Sequence, residues 1–219
     1  MQLFLDSADR AMIKKWVPTG LVDGITTNPS LLSKQGPNTK DVIMEICSMV
    51  EGDVSVEVVE KEPSLVYKQA RQIADLAENV VVKIPFAVEY LPIINQLAID
   101  GVAMNITLVF SVLQALMVAK LGVSYVSPFI GRLDDVGQTG VNLIGDLVTV
   151  FDRYGFETEI LAASIRSVEH WRQVALMGAH VATVPPAVFE QAMHHNLTKE
   201  GIAKFDADWA SLGKKSLLE

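Results

Sequence analysis

Short apolar, β-branched runs recur eight times along the chain, at 1–5, 24–26, 54–58, 80–84, 103–109, 125–127, 160–163 and 181–184. Each has the length of a strand rather than a helix. Most are apolar at consecutive positions, as expected of parallel strands covered on both faces. Their starts lie roughly 21 to 35 residues apart, the size of one βα unit. Helical patterns fill the gaps. One spans 64–78, with Leu65, Ala70, Ile73, Ala74 and Ala77 on one face and Pro63 near its start. Others span 111–121 with Ser111 as N-cap, 140–154 closed by Gly155, and 168–177 closed by Gly178. Eight sequential units predict an α/β fold, a closed (β/α)8 TIM barrel. A doubly wound open sheet is the runner-up. It is weakened by the lack of a G-x-G-x-x-G after the first run and of a G-x-x-x-x-G-K-[ST] motif anywhere.

The 219 residues fall at the short end of the barrel range. No linker or low-complexity segment interrupts them, so one domain over 1–219 is expected. The stretch 199–213 predicts an extra C-terminal helix with Ile202, Phe205 and Trp209 on one face, able to pack on the barrel or reach a neighbouring subunit. Residues 214–219 are expected to fray. The net charge of −8 argues against nucleic acid and anionic membrane surfaces as partners. A single cysteine, Cys47, permits no internal disulfide and suits a reducing cytoplasm. Neither a secretory leader nor an uncharged apolar run long enough for a membrane span is read from the sequence. Half of the residues are apolar, which points to burial between copies and hence to a homo-oligomer.

In this fold the strand C-termini carry the site, so polar residues there are its candidates. Asp6 ends the first run, where a helix N-cap is the plain alternative. Thr26 and Asn28 sit in Thr26-Thr27-Asn28-Pro29-Ser30, which also reads as a turn into a Pro-initiated helix. Glu57 lies between valines, and an unpartnered carboxylate is costly to bury. Lys83 stands in Val80-Val81-Val82-Lys83-Ile84-Pro85, either functional or snorkelling to solvent. Asn105 and Thr107 alternate and so share a face, as a functional pair or a plain hydrogen-bonded one. Ser127 ends the sixth run, Phe129 follows it with Arg132 beyond, and Ser164 and Arg166 follow the seventh. Either arginine alone could be a surface charge; together they suggest an anion clamp.

A lysine, two carboxylates and an anion clamp in one barrel mouth fit imine chemistry at a ketone. The amine must be neutral to attack, and Val81, Val82 and Ile84 would disfavour its charged form. The iminium is an electron sink for cleavage of the adjacent carbon–carbon bond, and carboxylates move the protons. Metal-dependent aldol chemistry would want clustered ligands, but the histidines come late, at His170, His180, His194 and His195. Cys47 lies in an apolar helical stretch and reads as inert core.

These segments resemble transaldolases. Gly24-Ile25-Thr26-Thr27-Asn28-Pro29-Ser30 is similar to their TTNPS segment, and Val82-Lys83-Ile84-Pro85 to their Schiff-base lysine. The run from Asn105 to Ser111, the run from Ser127 to Asp135, and Ala162-Ala163-Ser164-Ile165-Arg166 resemble further motifs in the same order. The length resembles the small transaldolases, which include fructose-6-phosphate aldolases. The resemblance implies that Lys83 forms an imine with the ketose C2 and that Asp6 accepts the proton in carbon–carbon cleavage. Glu57 and Thr107 would work around a catalytic water. Asn28 and Asn105 would hold the dihydroxyacetone hydroxyls, with Thr26 beside them. Ser127 and Phe129 would form the wall next to the lysine, and Arg132, Ser164 and Arg166 the phosphate site. The aldolases carry Gln at the position of Glu57 and Tyr at that of Phe129, so this chain leans to transaldolase. The implied reaction, one of the pentose phosphate pathway, moves dihydroxyacetone from sedoheptulose 7-phosphate to glyceraldehyde 3-phosphate. It implies no metal and no organic cofactor, sugar phosphates as partners, and a pentamer or decamer. A sulfosugar transaldolase and a non-catalytic sugar-phosphate-binding barrel stay open.

Overall fold

The computed structural model describes residues 1–213 and Ser216. Apart from Ser216, the segment expected to fray lies outside them. Among the described residues the strands are β1 (Gln2–Asp6), β2 (Gly24–Thr26), β3 (Val54–Glu57), β4 (Val80–Pro85), β5 (Met104–Val109), β6 (Tyr125–Pro128), β7 (Glu159–Ala162) and β8 (Val181–Val184). They pair in parallel and in sequence order, and β8 returns to β1, so the sheet closes into a (β/α)8 barrel. The helices are α1 (Arg10–Trp16), α2 (Pro29–Leu32), α3 (Thr39–Met49), α4 (Pro63–Ala74), α5 (Leu91–Ile99), α6 (Val112–Ala119), α7 (Ile130–Asp135), α8 (Gly140–Tyr154), α9 (Val168–Leu176), α10 (Pro186–Ala192) and α11 (Asn196–Ser211). None is long and apolar enough to cross a membrane.

Alternation along the strands decides what faces the barrel axis. Phe4, Val81, Tyr125, Leu161 and Val181 form a small apolar cluster inside. Two residues further along the same strands come Asp6, Lys83, Ser127, Ala163 and Thr183, toward the C-terminal mouth. The intervening residues, among them Leu5, Val82, Ile84, Ile106, Val126 and Val184, point outward into the core shared with the helices. The floor is tightly filled. The Phe4 and Tyr125 rings meet edge to face at 6.0 Å. A Cβ on Gly24 would come within 2.6 Å of the Phe4 ring, so glycine there makes room for the aromatic plug.

Caps fix where the helices begin. Asn28 Oδ1 accepts the amide of Leu31, Glu62 Oε2 that of Leu65, and Ser111 Oγ that of Gln114. Gly155, at φ 65°, ends α8 as the sequence implies. Helix α4 differs from expectation. It stops at Ala74, and it buries Val66, Ala70 and Ile73, while Leu65 is 46% exposed. With Pro63 as its first residue, the helix turns Val66 rather than Leu65 toward the barrel. Cys47 is buried in α3, and burial pushes its thiol up to about 11, as inert core requires. Helix α11 buries none of its residues: Ile202 and Phe205 remain 57% and 70% exposed.

Candidate functional site

Register places Glu57 beside Lys83 and Lys83 beside Asn105 on three adjacent strands. The lysine does not snorkel: it is 4% exposed and projects across the barrel interior. Its Nζ lies 3.1 Å from Glu57 Oε2 and donates to the Thr27 carbonyl at 3.1 Å. Of its three apolar sequence neighbours only Val81 shares the interior, since Val82 and Ile84 belong to the outer core. The Phe129 ring, its centroid 5.9 Å from Nζ, supplies the apolar wall instead.

Asp6 does not cap α1; Asp9 does, accepting the amides of Ala11 and Met12. Asp6 is thereby free to face the barrel axis, where Thr26 Oγ1 donates to its Oδ1 at 2.9 Å. Burial raises the Asp6 carboxyl above its ordinary value, opposed by the Lys83 charge and the Thr26 hydrogen bond. A carboxylate raised in this way is a stronger proton acceptor than a solvated one.

Asn105 and Thr107 share the inner face but do not bond to each other. Asn105 accepts from Ser127 Oγ at 2.7 Å and donates to Ser55 Oγ at 3.1 Å, which holds its amide in one orientation. Thr107 Oγ1 is buried without a partner among the described residues. A buried orphan hydroxyl is costly, and a bound water or substrate oxygen would satisfy it. One strand residue beyond, the β5–β6 register slips by a residue and Leu108 adopts φ 57°. Such a left-handed residue costs about 1–2 kcal/mol outside glycine, and here it accompanies a bulge at the rim.

The cationic side is built by α7 and the segment that follows β7. Arg132 lies in α7, its guanidinium 5.7 Å from the Phe129 ring centroid. Arg166 is held by both oxygens of Asp135, through Nη1 to Oδ1 and through Nη2 to Oδ2 at 2.7 Å. That pairing holds the Asp135 carboxyl below its usual range. Ser164, at φ 61°, turns its carbonyl toward Gly131. A Cβ on Gly131 would sit 2.4 Å from that carbonyl and 2.7 Å from Arg166 Nε, so the glycine admits the arginine.

One cavity of about 250 Å³ joins these parts. Asp6, Thr26, Asn28, Lys83, Ser127, Phe129, Arg132, Ser164 and Arg166 line it; Glu57, Asn105 and Thr107 do not, Glu57 and Asn105 flanking the lysine in register and Thr107 lying opposite Pro85. Asn28 spends its side-chain oxygen on capping α2, which leaves its amide hydrogens as donors for the cavity. Thr183, Leu161 and Ala163 also line it and are not singled out by the sequence. A larger, mostly apolar cavity of about 430 Å³ lies between α3 and α4. It shares only Glu57 with the residues above, so the chemistry points to the smaller one.

The arrangement combines a buried amine, a carboxylate against it, a second carboxylate across a small cavity and two arginines at its edge. The family model described as Transaldolase/Fructose-6-phosphate aldolase matches residues 3–216. A protein of Phenylobacterium zucineum named "Probable transaldolase" is 49% identical over 217 residues, covering 99% of this chain and 100% of its own. One of the same name from Dehalococcoides mccartyi is 51% identical, covering 98% of this chain and 100% of its own. Another from Methanococcus maripaludis is 51% identical, covering 95% and 97%. Among solved structures, a flavocytochrome b2 double variant with sulfite bound superposes with a TM-score of 0.57 at 10% identity. It covers 76% of this chain and 49% of that one, a likeness of fold alone. The chain belongs to the transaldolase/fructose-6-phosphate aldolase family and is an enzyme of that class.

Proposed function

We propose that the protein is a transaldolase that moves a dihydroxyacetone unit from a ketose phosphate to an aldose phosphate through an imine on Lys83. The observation that carries this reading is the Lys83 amine, buried in the barrel mouth 3.1 Å from Glu57 and lining one cavity with Asp6 and both arginines. The amine attacks C2 of the ketose. Glu57 takes the proton that nitrogen must lose and returns one as the carbinolamine expels water. The unpartnered Thr107 hydroxyl is suited to hold that water. Asp6 then takes the proton of the C4 hydroxyl as the C3–C4 electron pair flows into the iminium. The aldose phosphate departs and an enamine stays on Lys83.

An acceptor aldehyde reverses these steps. Asn28, Ser127 and Thr26 hold the hydroxyls of the three-carbon unit, and Asn105, which does not line the cavity, acts by fixing Ser127. Arg132, Ser164 and Arg166 bind the phosphate, and their geometry would suit the oxygens of a sulfonate as well. Glu57 and Phe129 favour transfer over release. Self-association in the cytoplasm completes the reading; the exposed Leu197, Ile202 and Phe205 of α11 support a homo-oligomer.

The test is turnover of fructose 6-phosphate with and without erythrose 4-phosphate. A transaldolase makes sedoheptulose 7-phosphate with the acceptor and little free dihydroxyacetone without it. Equal consumption in both cases would make the protein an aldolase.

A further inference from the structure

The hydroxyl of Thr183, on β8 and 3% exposed, lies 2.5 Å from that of Thr26, which in turn contacts Asp6 Oδ1 at 2.9 Å. Thr26 has one hydroxyl hydrogen to give. An ionised carboxylate can only accept, so with Asp6 charged that hydrogen goes to Asp6. The hydrogen in the contact between the threonines must then come from Thr183. The chain runs Thr183 to Thr26 to Asp6. Once Asp6 holds a proton the order can reverse: Asp6 donates to Thr26, Thr26 to Thr183, and Thr183 turns its own hydrogen into the cavity it lines. Both protonation states of the carboxyl are thus satisfied without moving a heavy atom.

We propose that Thr183 is a positioning residue for proton transfer at Asp6, acting through Thr26. The inference rests on the reading of Asp6 as the acceptor of the C4 hydroxyl proton. On the strands flanking β1, Thr26 stands opposite Asp6 and Thr183 opposite Phe4, so Thr183 reaches the carboxylate through Thr26. The charged groups that share the mouth are Lys83 on β4, Glu57 on β3, Arg132 in α7 after β6, and Arg166 on the loop beyond β7. Asp9 and Arg10 follow on its own chain; Asp9 is spent on capping and Arg10 pairs with Glu45. Helix α10, packed outside β1, carries Glu190, which pairs with Lys15. Linked hydrogen bonds polarise one another, so donation from Thr183 strengthens the bond that Thr26 gives to the charged carboxylate. Losing it favours the protonated form.

The experiment is the pH–rate profile of dihydroxyacetone transfer in Thr183→Val and Thr183→Ser. The valine variant keeps the shape and removes the hydroxyl. Its kcat is expected to fall about tenfold, part of what a general base contributes. Its acid limb should move to higher pH by on the order of half a unit, while KM for the ketose stays within about twofold. Borohydride should still trap substrate on Lys83 in this variant, and the serine variant should restore the limb. An unshifted limb with unchanged kcat in the valine variant would overturn the proposal, and so would a serine variant that behaves like valine. If the native enzyme traps no substrate on Lys83, the imine reading itself fails and takes this inference with it.

Discussion

Glu57 Oε2 and Lys83 Nζ stand 3.1 Å apart because the β3–β4 register sets the two residues side by side. Their side chains are 13% and 5% exposed, so the pair is shielded from competing water. In Glu57→Gln the amide carbonyl still accepts from the lysine, but no group remains there to take its proton. The expected result is a kcat about 100-fold lower, with rapid-quench measurements locating the loss in imine formation. A loss confined to carbon–carbon cleavage would move the role of Glu57 elsewhere.

Asp6 carries the opposite balance of stability and function. Its raised pKa means that the native state binds more protons than the unfolded chain between the ordinary and the raised value. Stability therefore falls as pH rises through that window, and the charged carboxylate costs stability at neutral pH. Asp6→Asn is expected to raise the Tm, by about 2–4 °C for each kcal/mol recovered in a chain of this size. It should also lower kcat by about 10²–10⁴-fold. Calorimetry at pH 7 beside a steady-state assay checks both; a lower Tm would contradict the burial argument.

Gly131 has no side chain, yet the seat of Arg166 depends on it. In Gly131→Ala the new methyl meets the Ser164 carbonyl and Arg166 Nε at distances no Cβ tolerates, so the arginine must shift. Charged hydrogen bonds are worth about 1.5–3 kcal/mol each, which predicts a KM for phosphorylated substrates raised roughly 10- to 100-fold. Unphosphorylated glyceraldehyde as acceptor should keep its KM. Equal losses for both acceptors would show general disruption of the mouth.

Phe129 faces both Lys83 and Arg132 with an apolar ring. Phe129→Tyr brings a phenolic hydroxyl to the mouth, where it can assist a water in hydrolysing the lysine-bound intermediate. More free dihydroxyacetone per transfer is expected, measured by enzymatic assay of the released ketone. An unchanged product ratio would remove this residue from the choice between transfer and release.

The barrel is legible in the sequence because parallel strands buried on both faces leave uninterrupted apolar runs, and a polar residue inside such a run stands out. Lys83 and Glu57 are visible for that reason. Their contact is not, since it depends on the register of β3 against β4. Thr183 is hidden because threonine is an ordinary strand former; only its closeness to Thr26 gives it meaning. Leu65 is misassigned because an apolar residue in the first turn carries no sign of whether it lies over the core. Asp135, the partner that fixes Arg166, closes α7, a separate segment, and sequence spacing links the two in no way.

In the proposed reaction the substrate is bound covalently at the Lys83 nitrogen. Native protein incubated with fructose 6-phosphate alone, reduced with borohydride, digested and weighed by mass spectrometry tests it most directly. The expected result is the mass of a reduced three-carbon unit on the peptide containing Lys83, absent in Lys83→Met. No added mass, or the same mass on another lysine, would contradict it.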